Sequence, residues 1–263
     1  MGSGFLPQVQ RLGLGYSENQ LIHIGKIDEA MARFYKLTFS STIVKDYFQA
    51  FCGPREIKDI SDYATDDARL HCDEINRMAI VFLHSMVEEI IRSFVFQAAT
   101  EDPKTLVRWL LSRQEISTSV LQSALQEANT EEEVMSRIAM AKLSVTTEAA
   151  LVKKVSSRLS ETLQRTSIQG IGDITKMLSI CNHTIDDYFL RKSEAVITQV
   201  CSRRNLIVHN MDEKDGETLS VDVETIDEWA YRIRDFLMVV ICGLEIDRGM
   251  QIEEQTIDEG RQA

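Results

Sequence analysis

Eight consecutive residues, Arg203-Arg204-Asn205-Leu206-Ile207-Val208-His209-Asn210, are the most informative stretch of the chain. Arg204 precedes His209 by five positions. A guanidinium, whose planar fork of donors matches an oxyanion, is thus followed by an imidazole that titrates near neutrality. Anion binding joined to proton transfer is the chemistry such a pair offers. Spacing alone carries little weight: with 18 Arg and 5 His in the chain, chance supplies one such pair about a third of the time. The other histidines (His23, His71, His84, His183) have Glu18, Asp66, Ala79 and Leu178 at that offset. Context sharpens the signal, because an Asn follows the Arg, three apolar residues fill the middle, and a polar turn comes next. On a regular helix, at about 100° per residue, Asn205 and His209 share a face while Arg204 lies about 140° from His209. Convergence therefore needs a loosened helix end or a site built otherwise. A purely structural role stays open: Arg204 and Asn205 capping the last carbonyls, with His209 favoured by the helix dipole.

The elements that must position these residues read as helices. Gly25 to Phe51 predicts one or two, stopped by Cys52-Gly53-Pro54. Ile75, Met78, Ala79, Phe82, Met86, Ile90 and Phe94 recur at three- and four-residue spacing, giving an amphipathic helix from about Asp66 to Ala99. Asp102-Pro103 opens a short helix through Arg113, and Thr130-Glu131-Glu132-Glu133 resembles a capping box. Thr184-Ile185-Asp186-Asp187 starts the helix that carries the motif to about His209. A polar break follows at 212–216, then a helix from about Thr225 to Asp247, with Ile226, Trp229, Ile233, Phe236, Leu237, Val240 and Leu244 on one stripe. Leu219, Val221 and Val223 alternate as a short strand would. An all-α bundle is the expected fold class.

Composition bounds the function. The 263 residues carry 29 Lys+Arg against 41 Asp+Glu, a net charge of −12. A chain basic over its whole surface is excluded, but a local basic groove is not. From 151 to 210 there are 9 Lys+Arg and 5 Asp+Glu, whereas from 211 to 263 there are 5 and 15. Most of this unevenness fits solvated helix faces; read functionally, the basic segment faces an anion. The longest apolar run, Phe236 to Leu244, is far shorter than the roughly 20 residues that span a bilayer. With no signal-peptide pattern and five scattered cysteines, reduced thiols in a cytoplasmic protein are expected. Cys181-x-His183 and His71-Cys72 lack further ligands at suitable spacing, so helix-end packing is expected and no metal or other cofactor. Gly170-x-Gly172 reads as a helix break.

Arg204, Asn205 and His209, with Asn210 continuing an "RNxxxHN" wording, resemble the HEPN family (higher eukaryotes and prokaryotes nucleotide-binding domain) in its ribonuclease members. The resemblance spans Asp66 to Asp247. It is strongest over 184–247 and looser at Phe82 to Arg92, which looks like the family's first helix. It implies a helical bundle of HEPN type with additional N-terminal and inserted helices. An extension at 1–62, a HEPN-like domain at 63–250 with an insertion at about 100–150, and an acidic flexible tail at 251–263 are expected. It also implies a metal-independent endoribonuclease in which two protomers line one cleft. Arg204 would bind the scissile phosphate and stabilise developing charge. His209 would move the proton of the ribose 2′-OH or of the leaving oxygen. Asn205 would hold the His or a phosphate oxygen.

Arg203, Lys153, Lys154, Arg158, Arg191 and Lys192 are the candidate RNA-binding residues. The expected partners are RNA, a second copy, and an antitoxin or sensor protein, in a toxin or anti-phage defence setting without a membrane. Met211 stands where the members silenced by nucleotidylation have Tyr, so that control is not expected. Glu88 and Glu89 read as a solvated face, or as groups approaching the motif. The alternatives are a HEPN fold kept as an inactive binding or regulatory module, or a helical scaffold with an accidental motif.

Overall fold

A computed structural model describes residues 16–52, 58–113, 118–210, 213–214, 217–218 and 222–242. The expected tail at 251–263, Met211, and the alternating Leu219 and Val221 lie outside them. The described chain is all-α apart from one two-residue antiparallel pair, β1 (Glu213–Lys214) with β2 (Glu217–Thr218). Among the described residues no helix is long and apolar enough to cross a membrane.

The chain divides into two compact units. The first holds α1 (Glu18–Cys52), the part of α2 (Lys58–Glu101) up to Ile90, α8 (Asp187–Asn210) and α9 (Val223–Cys242). Helix α1 starts seven residues before the expected Gly25, because Ser17 and Gln20 form a reciprocal capping box. The Gln20 N–H donates to Ser17 Oγ at 3.2 Å and the Ser17 N–H to Gln20 Oε1 at 2.9 Å. Gln20 Nε2 also donates to the Ile241 carbonyl at 2.9 Å, tying α1 to α9. Ile226, Ile233, Phe236, Leu237 and Val240 of α9 are buried, as their spacing predicts. Ile24, Ile27, Met31 and Phe34 of α1 make the matching apolar stripe.

Two details differ from expectation. Val223 begins α9 and belongs to no strand, since Asp222 accepts the Thr225 N–H at 2.6 Å and starts the helix there. Met78 does not join the core stripe of α2. It is 60% exposed, while Ala79, Leu83, Met86, Val87 and Ile90 are buried. The boundary expected at 62/63 falls inside α2.

The second unit holds the rest of α2 with α3 (Pro103–Ser112), α4 (Thr118–Glu127), α5 (Glu131–Leu143), α6 (Glu148–Arg165), most of α7 (Ile171–Leu178) and a 3-10 turn (Ser179–Cys181). Asp102 caps α3, accepting the Lys104 N–H at 3.0 Å and the Thr105 hydroxyl at 2.8 Å, with Pro103 at the first helical position. Thr130 caps α5 through the Glu133 N–H at 3.2 Å, and the Glu133 carboxylate accepts the Asn129 N–H at 2.7 Å. Leu151, Val155, Leu159 and Leu163, four residues apart, are the buried face of α6, which packs on α3 and α5. Cys181 and His183 pack at a helix end: Cys181 Sγ donates to the Leu178 carbonyl at 3.2 Å, and His183 meets Phe94 edge-on at 5.2 Å.

Candidate functional site

The motif occupies the last two turns of α8. Asp186 opens this helix by accepting the Tyr188 N–H at 2.7 Å. Val196, Ile197, Val200 and Cys201 are buried, so the middle of α8 is fixed by packing. Beyond them residues 203–207 are half-buried, and Val208 and His209 are exposed.

Helix α8 continues without a break through His209 to Asn210. Of the two ways to bring Arg204 and His209 together, loosening the helix before His209 does not occur. The five-residue offset leaves their side chains about 140° apart around one axis. Within one copy the two groups point to different sides.

Arg204 is nonetheless held in place. Its Nη1 donates to Asn205 Oδ1 at 3.0 Å, and Asn205 Nδ2 donates to Gln169 Oε1 at 2.7 Å. Gln169 belongs to the same compact unit, although the surrounding sequence lies in the other. A chain Gln169–Asn205–Arg204 thus fixes one guanidinium nitrogen and leaves the other donors of the fork for an anion. Sequence reading missed Gln169. No local pattern marks it, because the contact spans 36 positions. His209 has no hydrogen bond or ion pair among the described residues, so its ring is accessible to a substrate.

Next to the motif lies a cavity of about 610 Å³, bordered by Ile207 of α8 and by Glu74, Arg77, Met78, Val81 and Phe82 of α2. The Arg77 side chain is only 12% exposed and pairs with Glu74 at 2.7 Å. The facing stretch of α2 is therefore 74–85, about one to four turns before Glu88 and Glu89; Glu88 is half-buried and Glu89 exposed.

The six basic residues expected to bind RNA fall on two helices of different units. Arg191, Lys192 and Arg203 are on α8, where Lys192 and Arg203, eleven positions apart, share a face over about 16 Å. Arg191 and Lys192 are exposed and Arg203 is half-buried. Lys153, Lys154 and Arg158 are on α6. There the Lys154 ammonium donates to the Leu143 carbonyl at 2.8 Å and closes the end of α5. Comparison with family models, with curated proteins and with solved structures returned no match to this chain.

Proposed function

We propose that this chain is a metal-independent endoribonuclease of HEPN type, working as a homodimer in a toxin or anti-phage defence role. The observation that carries this reading is the arrangement of the motif on an unbroken α8. Arg204 is braced by Asn205 and Gln169, His209 is exposed, and the two lie on different sides of one helix. Such a pair acts on one phosphate when a second copy brings its own motif to the same cleft. The exposed Met78 and Val208 beside Ile207 give that pairing an apolar surface.

In this mechanism the ribose 2′-oxygen attacks the adjacent phosphorus and the 5′-oxygen leaves. His209 takes the 2′-OH proton or supplies one to the leaving oxygen. Arg204 stabilises the charge that grows on the non-bridging oxygens. The products are a 2′,3′-cyclic phosphate and a 5′-hydroxyl.

Incubating purified protein with total RNA in EDTA, followed by end analysis, tests the reading. Cyclic-phosphate ends from wild type and none from His209→Ala are expected. Intact RNA with wild type would instead make the fold a binding or regulatory module.

A further inference from the structure

The second unit holds an unassigned cavity of about 240 Å³ between α3 and α6. Its walls follow from helical spacing. Arg158, Glu161 and Arg165 recur at three- and four-residue intervals on one face of α6. Opposite them stand Trp109 and Leu110 of α3, with Arg113 just past its end. Trp109 is 7% exposed, and the Arg113 guanidinium lies 5.3 Å from its ring centroid, which orders that side chain.

The three guanidiniums are the informative feature. Elsewhere in this unit the Lys104 ammonium has Glu132, Lys154 has a carbonyl, and Arg92 donates to the Thr166 carbonyl at 2.6 Å. Arg113, Arg158 and Arg165 make no hydrogen bond or ion pair with their side chains among the described residues, and neither does Glu161. All three are exposed at the mouth of the cavity, where solvent screens their mutual repulsion and leaves their forks open to an anion. Three cations and one carboxylate leave an excess of two positive charges.

We propose that this cavity is a binding site for a small phosphate monoester. A monoester carries a charge of about −1.5 to −2 at pH 7, which matches that excess. Its tetrahedral oxygens suit the forks of two or three arginines. Trp109 and Leu110 give the organic half an apolar wall. The volume lies below the roughly 300–1,000 Å³ of sites for drug-sized ligands, so the ligand is of mononucleotide size or smaller. A nucleic-acid strand is disfavoured by charge. The whole unit has 11 Lys+Arg against 10 Asp+Glu, and a strand needs an extended positive track. This site stands apart from the Arg204–His209 motif, none of whose residues lines it; Arg158, expected from the sequence to bind RNA, is assigned here to the monoester instead.

Calorimetric titration of the full chain at low salt, with inorganic phosphate, adenosine 5′-monophosphate and adenosine as probes, tests the assignment. The monophosphate should bind one per chain and more tightly than inorganic phosphate, with adenosine silent. Arg158→Gln with Arg165→Gln should weaken binding at least tenfold without loss of helicity by circular dichroism. Glu161→Gln should tighten it several-fold by removing the opposing charge. That single variant decides the matter should the double variant fold poorly. No binding of either phosphate at millimolar concentration would overturn the assignment. So would an affinity unmoved by these substitutions, or an arginine pair that matters only for oligoribonucleotides.

Discussion

Gln169 reaches the motif from 36 positions upstream and accepts from Asn205, whose own carbonyl oxygen accepts from Arg204. On the proposed reading Gln169 is thus a positioning residue, acting on the guanidinium through another side chain. Gln169→Ala should lower the turnover of a bound RNA roughly ten- to a hundredfold while leaving its affinity nearly unchanged, as expected for a misplaced group. Gln169→Glu keeps an acceptor for Asn205 Nδ2 and should restore most of the rate. Parallel kcat and binding measurements on the two variants decide this, and equal losses in both would contradict it. A second residue-scale expectation concerns Asp227 in α9. Burial, with the nearby Glu224 charge adding to it, raises its pKa above the usual carboxylate range. Its Oδ1 has no partner among the described residues. Because the folded-state pKa is raised, the protonated form favours folding, and that contribution is lost as pH rises through the raised value. Asp227→Asn should therefore raise the melting temperature slightly at neutral pH, by roughly a degree. Near pH 3, where Asp227 is protonated folded or unfolded, the two proteins should melt together.

Helix ends were the most legible elements because capping is local. Asp102-Pro103 and Thr130-x-x-Glu133 each name their own hydrogen bonds within three or four residues, and both form. Ser17-x-x-Gln20 carries the same signal and starts α1 ahead of its apolar pattern. Met78 shows the converse weakness: apolar spacing gives the stripe, but tertiary packing decides which member stays outside. In the site, Arg204, Asn205 and His209 could be read from a short pattern, whereas Gln169 and the α3–α6 cavity depend on contacts between distant segments. Ser144 offers a test at this scale. It ends α5 in the left-handed region at φ 52°, where a Cβ is unfavourable. Ser144→Gly should stabilise the protein by about 0.5–1 kcal/mol in chemical denaturation. Unchanged or lower stability would show that Ser144 makes a compensating interaction in the fold.

For the molecule as a whole, a net charge of −12 cannot draw RNA over its full surface, so on the proposed reading binding runs through the basic positions of α8. Affinity should fall steeply between low and physiological salt, with a slope set by the few phosphates engaged. Salt-independent binding would exclude the phosphate backbone as the handle. The proposed assembly is tied to the same site, since Arg204 and His209 diverge on one helix. Sedimentation should therefore give twice the chain mass at micromolar concentration, and a fully active single chain would contradict the shared cleft. The most direct measurement compares an RNA cut by the protein with the same RNA carrying one deoxyribose at the cut position, both in EDTA. The all-ribose substrate should be cleaved to a 2′,3′-cyclic phosphate, while the deoxy substrate should bind about as well and stay whole, having kept its phosphates and lost its nucleophile. Cleavage of the deoxy substrate, or activity that needs a divalent metal, would contradict the roles given to Arg204 and His209.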